Sequence, residues 1–188
     1  MLHDVERKLF DEATIFRRLD VMAHEITQRY RGLELTVVVV LNGSLIFAAD
    51  LLRRIELPLK LECIRAASYY GGTASSGLVD FPAGALPDIA GRHVLIVDDI
   101  LDTGRTLHAL CQWLKASGGP LSIDICVLLA KTKARAEEVT ATYVGFEVGD
   151  EFVVGYGLDF REQYRNLPFI GTLRDEVIAA GERDARQD

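Results

Sequence analysis

Apolar residues follow two patterns along the chain. The first has helical spacing. Ile15, Leu19, Met22 and Ile26 share one face, which predicts an amphipathic helix over residues 12–31, closed by Gly32. Leu45, Ala48, Ala49 and Leu52 repeat this spacing before Pro58, and Leu107, Leu110, Cys111 and Leu114 repeat it before Gly118-Gly119-Pro120. The second pattern is continuous. Leu35–Leu41, Val94–Val97 and Ile123–Leu129 are apolar without alternation, Thr36 and Asp124 apart, as in strands covered on both faces. Shorter strands are expected over 59–67, near 142–146 and near 152–156. The last 20 or so residues read as a charged helix and a frayed tail.

Strands alternating with helices predict an α/β fold: a doubly wound, mostly parallel sheet, in a single domain over residues 1–188. Such sheets bind ligands at the carboxyl ends of their strands. Segments 41–44 and 97–106 are therefore the candidates. Residues 68–91, rich in glycine, proline, serine and threonine, read as a long loop with a short strand near Leu78 to Phe81.

Composition narrows the class. A chain of 188 residues, 49% hydrophobic and 26% charged, suits one globular domain rather than a disordered or fibrous protein. Lysine and arginine number 21 against 28 acids, a net charge of −7. That balance argues against nucleic acid or an anionic membrane as partner. Taken alone it also opposes a polyanionic substrate. The longest apolar run, Leu35–Leu41, falls short of the roughly 18 residues of a membrane span. Met1–Lys8 carries mixed charges and does not read as a signal peptide. Cys63, Cys111 and Cys126, odd in number and far apart, are expected to be buried, reduced thiols of a cytoplasmic protein. Gly72–Gly77 lacks the Lys-Ser/Thr of a phosphate loop, Gly155-Tyr156-Gly157 lacks the third glycine of a dinucleotide fingerprint, and the histidines have no metal spacing.

The chemistry concentrates in Val94–Leu107, VLIVDDILDTGRTL. Four apolar residues deliver Asp98 and Asp99 to a strand end at the sheet's rim. Adjacent carboxylates there repel unless a cation or hydroxyl donors satisfy them, and sugar hydroxyls and Mg²⁺ are natural partners. Asp102-Thr103-Gly104-Arg105-Thr106 then turns into a helix. Gly104 permits close backbone approach, the helix N-terminus offers amides to an anion, and Thr103, Thr106 and Arg105 add hydroxyls and a charge. Asp102-Thr103 alone would be no more than a helix cap. The whole segment, a phosphate cradle beside a diol-binding acid pair, fits a sugar phosphate.

This segment resembles the phosphoribosyl-pyrophosphate signature of type I phosphoribosyltransferases: four hydrophobics, two acids, a variable pair, then D-T-G-x-T. Asp102 is similar to the third acid of the hypoxanthine-guanine subfamily. The resemblance extends from about residue 10 to 173. Leu41-Asn42-Gly43-Ser44 resembles the pyrophosphate loop, with Asn42 where the family usually has lysine, which removes one positive charge. In the family this loop contains a non-proline cis peptide. Residues 68–77, led by Ser68-Tyr69, resemble the mobile catalytic loop. Leu128-Leu129-Ala130-Lys131 resembles the strand end with the purine-binding lysine. Glu151–Asp159 is similar to the base-binding stretch, and Tyr164-Arg165 to its downstream arginine.

The resemblance implies transfer of phosphoribose from phosphoribosyl pyrophosphate to hypoxanthine or guanine, with Mg²⁺ as cofactor and a small hood built from terminal segments. It implies that Asp98, Asp99, Asp102, Thr103, Gly104, Arg105 and Thr106 hold the phosphoribosyl group, and Asn42, Gly43 and Arg165 the pyrophosphate. Lys131, Phe152, Val153 and Asp159 would bind the purine, Asp102 would be the general base, and Asp98, Asp99 and Asp159 the metal residues. It further implies a homo-oligomer, dimer or tetramer. The alternatives are a xanthine-preferring or pyrimidine enzyme, or a non-catalytic, nucleotide-sensing RNA-binding regulator of the same fold. The acidic balance weighs against the regulator.

Overall fold

The computed structural model describes residues 1–65, 67–68, 79–80, 87–133 and 136–184. After a 3-10 turn at Leu2–Asp4, the strands are β1 Val5–Phe10, β2 Leu35–Leu41, β3 Leu59–Arg65, β4 Ala67–Ser68, β5 Val79–Asp80, β6 His93–Leu101, β7 Ser122–Lys131, β8 Tyr143–Val148, β9 Val153–Val154 and β10 Ile170–Leu173. The helices are α1 Glu12–Arg29, α2 Leu45–Leu52, α3 Arg105–Gly118 and α4 Asp175–Asp184. Five strands form one parallel sheet, ordered β3-β2-β6-β7-β8.

Period-two alternation on the central strands divides the core between two faces. Val37 and Val39 of β2, Leu95 and Val97 of β6, and Cys126 and Leu128 of β7 pack with Ile15, Leu19, Met22 and Ile26 of α1 and Phe47 and Leu51 of α2. Their neighbours Val38, Val40, Val94, Ile96, Ile125 and Val127 pack with Leu107, Leu110 and Leu114 of α3. Burial on both sides explains the unbroken apolar runs and makes the sheet doubly wound. The Asp11 side chain caps α1 by accepting from the Thr14 amide at 2.8 Å. The Tyr30 hydroxyl at the helix end donates to the Asp124 carboxylate on β7 at 2.5 Å, tying helix to sheet.

A second, antiparallel sheet, ordered β1-β10-β9, joins both ends of the chain. It rests on its own small cluster of Val154, Tyr164, Leu167, Phe169 and Leu173. The expected hood of terminal segments is thus present, but β1 and β10 were not legible as strands. The burial of β1 reads intermediate, three exposed, then two intermediate, so no clean alternation marks it. The thiols differ from expectation: Cys126 is buried, Cys111 half-buried and Cys63 exposed on edge strand β3. β4 and β5 pair antiparallel, which places the expected short strand at Val79–Asp80. No helix among the described residues is long and apolar enough to cross a membrane.

Burial, together with the bond to the Asp124 carboxylate, pushes the Tyr30 phenol well above its ordinary value. A folded-state pKa raised above the unfolded one contributes stability that is intact below the unfolded phenol value, about 10, and is lost as pH rises beyond it. Tyr30→Phe should cost about 1–3 kcal/mol in urea unfolding at neutral pH, because it leaves the carboxylate short of a donor. It should also flatten the alkaline decline of stability.

Candidate active site

The strand order reverses direction between β2 and β6, since the chain leaves β2 toward β3 on one side and β6 toward β7 on the other. Open α/β sheets place their crevice at such a switch point. Here β6 outruns its neighbour. Pairing with β2 ends at Val97, whereas pairing with β7 continues through Asp98, Ile100 and Leu101. Asp98 and Asp99 therefore lie within the strand, level by register with Val40 and Leu41 of β2, which no longer pair with β6. Asp98 is only 7% exposed.

Both acids line a cavity of about 340 Å³, together with Gly43, Asp102, Thr103, Gly104, Thr106, Asp159 and Arg165. Burial, and next the Asp99 charge, push the Asp98 carboxyl well above the usual carboxylate range. Burial raises Asp99 as well, against hydrogen bonds and the Arg165 charge, which lower it. The hydrogen bonds these acids accept are local: Asp98 Oδ1 from the Asp99 amide at 3.0 Å, Asp99 Oδ1 from the Ile100 amide at 2.8 Å. A buried acid beside a half-buried one, each raised by burial, suits a hard cation or hydroxyl donors. Among the described residues no three acid, histidine or cysteine side chains converge into a preformed metal cage. Mg²⁺ does not require one, since it keeps several waters and binds through one or two carboxylates plus phosphate oxygens.

Three turns frame the cavity. The Leu41–Asn42 peptide is cis, as the family resemblance implied. A Cβ on Gly43 would overlap the Asp99 carboxylate, so only glycine fits. Asn42 itself is exposed. Gly104, at φ +81°, caps α3, and a Cβ there would come within 3.0 Å of the Glu137 carbonyl. The amides of Ala136 and Glu137 donate to the Thr103 carbonyl at 3.1 and 3.2 Å, clamping this turn from the segment after β7. The first amides of a helix have no intrahelical partners, and those of α3 begin at the cavity. Arg105 is exposed, so its amide, not its guanidinium, belongs to the turn as it stands.

The third turn is Gly155–Gly157. A Cβ on Gly157 would overlap the Gly43 carbonyl, and the Tyr156 hydroxyl donates to Asp50 of α2 at 2.6 Å. Downstream, Tyr156, Arg161, Glu162 and Tyr164 all have positive φ, a concentration of strained backbone typical of ligand sites. Arg165 donates to the Gly157 carbonyl at 2.9 Å and pairs with Asp159 at 2.9 Å and Glu162 at 3.0 Å.

Across Asp102 lies a second group. Lys131 Nζ is 3.6 Å from Asp102 Oδ2 and 3.5 Å from Asp150 Oδ1. Lys133 Nζ is 2.9 Å from Asp102 Oδ1 and 2.7 Å from Asp150 Oδ1. Sequence reasoning identified Asp102 and Lys131 but missed Lys133, Asp150 and Glu162, for which no local signal exists. Phe152 is 43% exposed and meets Phe160 edge-to-face at 5.3 Å, while Val153 is buried in β9. Ser68 is in β4, and Tyr69 lies outside the described residues.

A family model described as phosphoribosyl transferase domain matches residues 7–161. The chain belongs to the phosphoribosyltransferase family. It is 40% identical over 177 residues to a hypoxanthine-guanine phosphoribosyltransferase of Streptococcus pneumoniae, covering 94% of this chain and 98% of the relative. A Staphylococcus aureus protein of the same name is 41% identical over 179 residues, covering 95% and 99%. The crystal structure of a Staphylococcus aureus hypoxanthine phosphoribosyltransferase matches with a TM-score of 0.88 at 41% identity, covering 94% of this chain and 96% of that one. Trypanosoma cruzi hypoxanthine phosphoribosyl transferase matches with a TM-score of 0.87 at 38% identity, covering 96% of each chain.

For this phosphoribosyltransferase, the buried acid pair predicts a conflict between stability and ligand binding. With a chelator present at neutral pH, Asp98→Asn should raise the melting temperature by a few degrees, at about 2–4 °C per kcal/mol for a chain of this size. Added Mg²⁺ and phosphoribosyl pyrophosphate should then stabilise the variant far less than the parent. Thermal-shift measurements with and without the ligands check both.

Proposed function

We propose that the protein transfers the 5-phosphoribosyl group of phosphoribosyl pyrophosphate to N9 of hypoxanthine or guanine, releasing pyrophosphate and the purine nucleotide. The observation that carries this reading is one cleft in which the acid pair, a glycine-capped helix N-terminus and Asp102 meet, with Lys131 3.6 Å from the Asp102 carboxylate. The first two features suit a phosphorylated sugar, and the third an oxopurine edge.

Thr103, Gly104, Arg105 and Thr106 hold the 5′-phosphate through amides, hydroxyls and the helix dipole. Asp98 and Asp99 take the ribose hydroxyls, directly or through metal. Mg²⁺, when bound, neutralises charge on the departing pyrophosphate, with Asp98, Asp99 and, through water, Asp159 as the residues that hold it. The backbone of Asn42-Gly43 and the guanidinium of Arg165 bind pyrophosphate, Arg165 being oriented by Gly157, Asp159 and Glu162. Arg165 exchanges carboxylate partners for pyrophosphate oxygens as substrate enters.

In the chemical step the C1′–O bond to pyrophosphate breaks and an N9–C1′ bond forms. The sugar passes through an oxocarbenium-like state. Asp102 accepts the purine proton at N7, which raises the nucleophilicity of N9. Lys131 donates to O6 and so favours oxopurines over adenine. Phe152 stacks on the base, and the backbone of Val153 reads its edge. The segment led by Ser68-Tyr69 excludes water, which would otherwise hydrolyse the activated sugar. The same reading makes the protein a cytoplasmic homo-oligomer, dimer or tetramer, with small-molecule substrates and neither nucleic acid nor membrane as partner.

Incubation with phosphoribosyl pyrophosphate, Mg²⁺ and each of hypoxanthine, guanine, xanthine and adenine should yield nucleotide from hypoxanthine or guanine and none from adenine. Absence of product with every oxopurine refutes the assignment, and a marked preference for xanthine redirects it. Asp102→Ala should lower kcat by about 10²–10⁴, the usual weight of a general base. Steady-state turnover at saturating substrates checks this, and an unchanged kcat removes Asp102 from that role.

A further inference from the structure

Asp102 is held by more than the lysine that its proposed role requires. Its Oδ1 is buried and has no directed hydrogen bond among the described residues, so the Lys133 ammonium at 2.9 Å is what offsets its burial. Its Oδ2 faces Lys131 at 3.6 Å. Lys133 is in turn fixed by Asp150 at 2.7 Å, on the connection between β8 and β9. The two contacts on Asp102 differ in kind. Lys131 is 10% exposed at its side chain and comes from the end of β7, whereas Lys133 is 35% exposed and comes from the segment beyond it. A purine that draws Lys131 to its O6 pulls that cation from Oδ2. The Lys133 contact, on the other oxygen, is free to persist.

We infer that Lys133 is a positioning residue for Asp102: it anchors Oδ1 so that Oδ2 faces the purine. This rests on the transferase reading given above. An anchored carboxylate has one orientation to offer N7, and general-base efficiency follows such geometry before it follows proton affinity. The bond from Lys133 to Asp150, and the Asp102 charge beside it, also favour its own protonated state.

Among the described residues, the charged groups around Asp102 are few. From β7 and the segment after it come Lys131, Lys133 and Glu137. Asp150 approaches from the β8–β9 connection. Asp98, Asp99 and Arg105 lie on its own segment, and His108 of α3 pairs at 4.0 Å with Glu137. Among the described residues, removing Lys133 leaves Lys131 as the one lysine at the carboxylate.

The test is kcat and KM for nucleotide synthesis in the parent, Lys133→Met and Lys133→Arg. Lys133→Met should lower kcat by about tenfold, a part of the 10²–10⁴ weight of a general base, with the KM values for phosphoribosyl pyrophosphate and purine little changed. Lys133→Arg, which keeps a cationic donor, should recover most of the lost kcat. A kcat for Lys133→Met equal to the parent's, or a loss confined to KM, overturns the inference. A fall in Lys133→Arg as large as in Lys133→Met overturns it too. A parent that makes no nucleotide overturns the transferase reading, and this inference with it.

Discussion

The site depends on two neighbouring strands parting before either has ended. β2 runs to Leu41 beside β3, but its pairing with β6 ends at Val97, while β6 runs on beside β7 to Leu101. Val40 and Leu41 of β2 line the cleft together with Asp98 and Asp99 of β6. Had the two strands stayed paired to their ends, no cleft would open beside these acids. Instead they are held in regular backbone, in a partly desolvated gap. A cation or a set of hydroxyl donors there recovers electrostatic energy that the folded chain alone leaves unspent.

The loops around that gap fit one another through missing side chains. Gly43 makes room for the Asp99 carboxylate, and Gly157 makes room for the Gly43 carbonyl. Gly104 sits under Glu137, whose amide, with that of Ala136, closes on Thr103. At Gly104 and Gly157 a backbone carbonyl, and at Gly43 a carboxylate, takes the place where a Cβ would stand. The result is a layered arrangement of backbone dipoles around the cavity, with Arg165 threaded between Gly157 and two carboxylates. The hood contributes the outer layer, since Val153 and Val154 of β9 lead directly into Gly155–Gly157.

A net charge of −7 at first argues against a pyrophosphate ester as ligand. Local pairing changes the meaning of that number. Four of the acids, Asp98, Asp99, Asp102 and Asp159, stand at the cavity and are part of its chemistry. Asp102 and Asp150 are matched by Lys131 and Lys133, and Asp159 by Arg165. Within a few ångströms such pairs outweigh the distant, screened charge of the surface. Net charge still describes what the exterior attracts.

Local pattern was enough to reveal the sheet, its three helices and the acidic turn. Continuous apolar runs mean burial on both faces, and VLIVDDILDTGRT carries its chemistry in consecutive residues. β1 and β10 escaped, because their burial depends on pairing across the whole chain, Val5 with Leu173 and Phe10 with Ile170. Asp98 and Asp99 were expected side by side at the sheet's rim. How deeply they are buried depends on where β2 and β6 part, which no residue near them encodes. The sequence by itself therefore determined the fold class and the chemical types at the site, since periodicity and short motifs are properties of neighbours along the chain. Only the tertiary structure decided that Lys133 and Asp150 join Asp102, that Glu162 holds Arg165 and that Gly157 stands against Gly43. Those contacts join residues far apart in the chain or on opposite sides of a turn, and they exist only once the sheet has fixed the distances between its strand ends.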